Sequence, residues 1–162
     1  MTTTGRDLTH PAPEPFHLAA LPLRNRLAVA PMTRVSATPD GRPTAQMVDH
    51  YRESASGGFG LITTEGIYTD TTHSQGYFNQ PGLVTDQHVE GWQAVVEAVH
   101  SGGAAITAQL MHAGAISQGN SRGFQPIGPS AVRPRGQMMV DYGGAGGAWV
   151  CPERCRQAIS TT

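Results

Sequence analysis

LRNRLAVAPMTR, residues 23–34, sets an apolar run from Leu27 to Ala30 directly against Pro31. Proline has no N–H to donate, so the ladder of a central strand stops there. The side chains just past the stop, Met32 and Thr33, then stand at the carboxyl end of a strand, where α/β folds hold their ligands. Taken alone, the stretch reads first as an ordinary buried strand ending in a proline turn.

Working outward towards the C-terminus, Thr38-Pro39-Asp40-Gly41 has turn chemistry. A helix is predicted from about Thr44, with Met47, Val48, Tyr51 and Ala55 on one face and a stop at Gly57-Gly58. GLITTE, residues 60–65, reads as a second strand rich in β-branched residues, and Gly66 after it is a place where backbone can approach a ligand closely. An irregular segment over 67–84 leads to Thr85 and Asp86, either of which can cap a helix carrying Val89, Trp92, Val95, Val96 and Val99 until Gly102-Gly103. AAITAQL, residues 104–110, reads as a third buried strand. Its Gln109 carries an amide that both donates and accepts, suited either to backbone inside the fold or to a heteroaromatic edge. His112 by itself reads as a structural histidine before a catalyst.

Strands alternating with helices of crossover length run in one direction, so the class is α/β with a parallel sheet. Residues 115–150 carry Gly, Pro and Ser without periodicity, the kind of long loop that covers a site. No G-x-G-x-x-G follows a strand, so a Rossmann dinucleotide site has no support. Towards the N-terminus, residues 1–22 hold Pro11, Pro13, Pro15 and Pro22 and read as an extended lead-in.

The 162 residues fit about one domain. With 11 Lys+Arg against 12 Asp+Glu the net charge is −1, which provides no electrostatic footprint for nucleic acid or an anionic membrane; the expected partner is a small molecule. No apolar run approaches the roughly 20 residues of a spanning helix, and the N-terminus has no signal-peptide core, so the expected location is the cytoplasm. Cys151 and Cys155 lie too near the C-terminus to staple the fold, and no other ligands stand near them in zinc spacing; no metal is expected.

Together, APMTR at 30–34, TTEG at 63–66, GYFNQPGLVTDQHVEGWQAVVEAVHSGGA at 76–104, AQLMHAG at 108–114 and PIGPSAV at 126–132 resemble the Old Yellow Enzyme family of FMN-dependent ene reductases. The resemblance implies the N-terminal portion, about three β/α units, of an incomplete TIM (β/α)8 barrel. It implies FMN contacts from Ala30, Pro31, Met32, Thr33, Gly66 and Gln109, with the Thr33 hydroxyl at the flavin carbonyl near N5 and Gln109 at the pyrimidine edge. Met111 and His112 fall where the family has its substrate pocket. In such enzymes NADPH or NADH reduces the flavin, and N5 then passes a hydride to the β-carbon of an enone or similar acceptor. A dienoyl-reductase-like flavoprotein shares these blocks, and a homo-oligomer is among the expected partners of the full-length form.

A full barrel takes roughly 250 residues or more. The acceptor-binding pair, the proton-donor Tyr and the phosphate-binding strands of the family would fall beyond residue 162, leaving the catalytic residues unassigned and a catalytically inactive remnant as the alternative reading. The expected divisions are the lead-in at 1–22, the partial barrel at 23–147 and an atypical tail at 148–162. Permissible codons for the segment from Ala148 to Ile159, read in another frame, encode Val-Gly-Val-Pro-Arg-Ala-Met-Ser-Ala-Gly-Asp-Ile, a continuation of the family type. The tail thus reads as out of frame, or as the end of a divergent or split gene.

Overall fold

The computed structural model describes residues 11–143 and 146–154. A hairpin of β1 (Phe16–Leu18) and β2 (Leu21–Leu23) comes first, followed by β3 (Ala28–Val29), α1 (Ala45–Ser56), β4 (Leu61–Tyr68), α2 (Asp86–Ser101) and β5 (Ala105–Met111). A short parallel pair, β6 (Ile127–Gly128) and β7 (Glu153–Arg154), closes the described order. The strands β3, β4 and β5 pair in that order, all parallel, as the alternation of strand and helix requires.

Both helices begin where a threonine supplies the missing acceptor. The Thr44 hydroxyl accepts the Met47 amide, and the Thr85 hydroxyl accepts the amide of His88, whose ring returns the bond to the cap backbone. Met47, Tyr51 and Ala55 from α1 and Trp92, Val95 and Val99 from α2 meet Ile62 and Ile67 of β4 in one core, with Val29 and Ile106 packed against it. Of the apolar positions anticipated on α2, Val89 is not in this core: it is 53% exposed, and His88 is buried in its place.

Ile62 and Ile67 are five positions apart, which strict alternation would put on opposite faces. A bulge resolves this: Thr63 pairs with Thr107 and Gly66 with Gln109, so β4 carries one residue more than β5 between those rungs. Thr64 repairs the interrupted ladder, its hydroxyl accepting the Gln109 amide at 3.0 Å and donating to the Glu65 carbonyl at 2.9 Å.

Three expectations need correction. The β1–β2 hairpin stands where an extended lead-in was anticipated; residues 1–10 of that lead-in lie outside the described residues. The run from Leu27 to Ala30 forms only a two-residue strand, with Leu27, Ala28 and Ala30 exposed, because one face of the sheet carries no covering layer among the described residues. For the same reason β5 is not a buried strand: residues 107–110 are exposed, Leu110 by 62%. Of the anticipated tail, residues 155–162 lie outside the described residues, Cys155 among them; Cys151 is a half-buried free thiol.

Candidate functional site

The sheet has two unlike faces. Val29, Ile62 and Ile106 stand in register on the face that carries the helices. The next row turns the other way: Thr63 and Thr107 face each other, hydroxyl to hydroxyl, at 3.3 Å, with Ala30 following β3 alongside. Further along, Gly66 and Gln109 are partners across the ladder, and the Gln109 side chain is exposed rather than buried as expected, free of the backbone role considered for it. Small and hydroxyl-bearing side chains thus leave an open floor on this face, running from the Thr63–Thr107 rung towards Gly66 and Gln109 nearer the carboxyl end, while Pro31, Met32 and Thr33 lie exposed on the segment after β3.

Gly66 also has a packing reason within the chain for being glycine. A Cβ there would lie 2.5 Å from the Met111 sulfur, so the close approach it permits is by Met111. The Gly66 carbonyl accepts from Gln80 Nε2 at 2.8 Å, while Gln80 Oε1 accepts the Gly76 amide at 2.7 Å. Gln80 is fully buried and so ties the loop after β4 to the strand beneath it. His112 is exposed; its Nδ1 accepts the Gly114 amide, and its Nε2 stands 3.9 Å from Asp70.

Beneath Thr33 lies a cluster that sequence reasoning passed over. The Glu65 carboxyl is 1% exposed; its Oε2 accepts the Arg34 amide at 3.0 Å and a longer contact from the Tyr77 hydroxyl at 3.5 Å. The Val35 amide also faces it, and the Thr33 and Tyr77 hydroxyls face each other. On the far side the Glu65 amide donates to the Tyr51 oxygen at 3.0 Å. Burial pushes the Glu65 carboxyl above the ordinary glutamate value, and the Arg34 and Val35 amides, the Tyr77 hydroxyl and the Arg34 charge only partly offset it. Burial likewise pushes the Tyr51 phenol up to about 12 and raises that of Tyr77. The only signal for Glu65 in the sequence was a charged residue at the end of an apolar strand, which reads equally as a solvated strand end.

An apolar groove of about 420 Å³ lies elsewhere, between α2 and β5, lined by Ile67, Val89, Trp92, Val96, Ile106 and Ala108. It opens on the helix-bearing side and holds few polar groups, so it is separate from the floor. Among the described residues no group of three or more His, Cys, Asp or Glu could hold a metal, and no helix is long and apolar enough to cross a membrane.

A parallel β/α sheet with helices on one face and an open, hydroxyl-lined floor on the other is the arrangement of a barrel-type α/β protein. The chain belongs to the NADH:flavin oxidoreductase / NADH oxidase family, whose profile matches residues 13–142. It is 37% identical over 113 residues to an NADH oxidase of Thermoanaerobacter brockii, covering 69% of this chain and 17% of that protein. To a probable flavin mononucleotide-dependent alkene reductase of Leishmania infantum it is 35% identical over 121 residues, covering 74% and 32%. Among solved structures, the Old Yellow Enzyme homologue of Zymomonas mobilis superposes with a TM-score of 0.80 at 32% identity, over 90% of this chain and 40% of that one. Morphinone reductase in complex with tetrahydroNAD superposes with a TM-score of 0.78 at 34% identity, over 90% and 41%. These relatives are TIM barrels; the described residues form a partial α/β sheet of that architecture and no closed barrel. The chain spans between about a sixth and a third of the curated relatives it matches.

Proposed function

We propose that this chain is the ring-binding part of an FMN-dependent NAD(P)H oxidoreductase of the ene-reductase type, acting on an α,β-unsaturated carbonyl or similar small acceptor. The observation that carries the reading is the floor itself, in which the Thr63–Thr107 pair and the exposed Gln109 side chain line one face of a parallel sheet, with Thr33 exposed on the segment that leaves the carboxyl end of β3. The donor set fits an isoalloxazine: Gln109 supplies an amide that both donates and accepts for a pyrimidine edge, and Thr33 a hydroxyl for a carbonyl oxygen. FMN when bound supplies hydride transfer between nicotinamide and acceptor. Ala30 and Pro31 offer a flat apolar border, Thr33 a donor for a ring edge that gains negative charge on reduction, and Met111 with His112 a wall and a polar rim beside it. Membership of this family and the activities of its relatives support the same reading.

Quenching of FMN fluorescence tests it. The 162-residue chain is expected to quench added FMN, and Gln109→Leu to weaken that binding by about tenfold, the factor of one lost hydrogen bond. Equal binding by wild type and Gln109→Leu counts against the assignment. A second reading, a chain that keeps the ring face and turns nothing over by itself, is favoured by the exposure of residues 107–110 on both faces of β5. Steady oxidation of NADH or NADPH with an enone by this chain plus FMN rules that second reading out.

A further inference from the structure

We infer that Glu65 is a positioning residue for the flavin edge: through the Arg34 and Val35 amides and the Tyr77 hydroxyl it sets where the Thr33 hydroxyl stands. The inference rests on the reading of Thr33 as a flavin contact, and it deepens that reading by naming what holds Thr33.

Two independent features of the geometry point this way. Val35, a β-branched residue, has φ 55, a left-handed conformation that such residues rarely adopt. Strain of this kind persists only where the surroundings over-determine the backbone, and it clusters at ligand clamps and active sites. The group that over-determines it is the Glu65 carboxyl, placed under the turn by the extra residue of the β4 bulge. The second feature is Glu65 Oε1, a buried oxygen with no hydrogen-bond partner among the described residues. The carboxyl's other oxygen, Oε2, binds the segment following Thr33.

The cluster reaches Glu65 from three elements: Arg34 on the segment after β3, Tyr51 on α1 and Tyr77 on the loop before α2. Tyr77 is the link to the site, since its hydroxyl faces that of Thr33 while its own proton points to Glu65. Glu65 therefore acts through Tyr77 and the backbone without touching the ring. Glutamine suits the same place: its carbonyl oxygen can take the Arg34 and Tyr77 bonds, and its NH2 group takes the position of the unpaired oxygen.

The test uses the 162-residue chain with Glu65→Leu, Glu65→Gln and Tyr77→Phe, read by amide hydrogen exchange and by the scalar couplings of the Thr33 side chain. Wild type and Glu65→Gln are expected to hold Thr33 in one rotamer and to protect the Arg34 amide. Glu65→Leu should speed exchange at Arg34 by about tenfold or more, the factor of one lost buried hydrogen bond, with Val95 of α2 still protected. Tyr77→Phe should leave Arg34 protected and average the Thr33 rotamer. Unchanged exchange at Arg34 in Glu65→Leu, or a single Thr33 rotamer in Tyr77→Phe, overturns the inference. If Glu65→Leu also loses protection at Val95, the Tyr77→Phe arm decides alone. FMN quenching is scored separately: failure of the wild-type chain to bind FMN counts against the flavin reading, whereas the exchange and rotamer data judge Glu65 either way.

Discussion

Thr33 is the residue through which the proposed chemistry is most directly adjusted. A hydroxyl donating to a ring edge that becomes electron-rich on reduction stabilises the reduced form. Thr33→Ala in FMN-loaded protein is therefore expected to lower the flavin's reduction potential, read by potentiometric titration; an unchanged potential removes Thr33 from that role. Glu65 makes a pH-dependent contribution whose sign follows from its burial. Its folded pKa is raised, so above the ordinary glutamate value of about 4.3 the folded state holds a proton that the unfolded chain has released. Its contribution is fully present below that value and is lost as pH rises through the folded one. Glu65→Gln has no such proton to lose, so urea melts from acid to neutral pH should show a smaller decline in stability than wild type. Gly66→Ala drives a methyl against the Met111 sulfur and is expected to cost about 1 kcal/mol or more, largely recovered in Gly66→Ala/Met111→Ala by thermal melts.

At the scale of elements, one arginine holds both helices to the amino-terminal end of the sheet. Arg24 Nη1 donates to the Gly102 carbonyl at 2.8 Å, at the end of α2. Nη2 donates to the Ala55 carbonyl in the last turn of α1, and Nε and Nη2 both reach the Phe59 carbonyl, at 3.1 and 2.7 Å. A cation at two helix C-termini meets the negative ends of both dipoles as well as carbonyls without intrahelical partners. Arg24→Ala is expected to cost about 2 kcal/mol, in the range of hydrogen bonds to a charged group, and Arg24→Lys to recover only part because one ammonium cannot span three carbonyls. Denaturant melts of the two variants check both statements. The start of α2 is held with comparable redundancy: His88 Nδ1 accepts the Val84 amide at 3.1 Å while Nε2 donates to the Asp40 carbonyl at 2.8 Å.

For the whole molecule, the consequence of a three-stranded parallel sheet is what it leaves uncovered. Leu110 on β5 and Val89 on α2 are 62% and 53% exposed, and the apolar groove lies between these two elements. Exposed apolar surface next to an unpaired strand edge favours association. The chain is expected to self-associate in a concentration-dependent way, and Leu110→Lys with Val89→Glu to raise the monomer fraction in analytical ultracentrifugation without loss of helical circular dichroism. An equally monomeric wild type would show that this surface is protected by other means.

The two helices, a cap of the second at Thr85 or Asp86 and the parallel direction of the strands were legible in the sequence, because periodicity, capping and crossover length are local properties of the chain. The candidate contacts were read through resemblance; of them, Gly66 and Gln109 are partners across the β4–β5 ladder and Thr33 lies exposed on the segment after β3. The hairpin was not legible: its turn is Ala19-Ala20, with Ala19 at φ 52, and lacks the Asn-Gly or Asp-Gly signal for positive φ. Nor was the bulge, which changes the phase of β4 and sends Glu65 into the interior instead of leaving it at a solvated strand end. Which groups meet beneath Thr33 depends on segments far apart in the chain, since Tyr51, Glu65 and Tyr77 come together only after α1 has packed on the sheet and the loop after β4 has folded over it. Burial and pairing of that kind belong to the tertiary structure, because they are set by what lies across a strand or above a loop and not by the residues next in sequence.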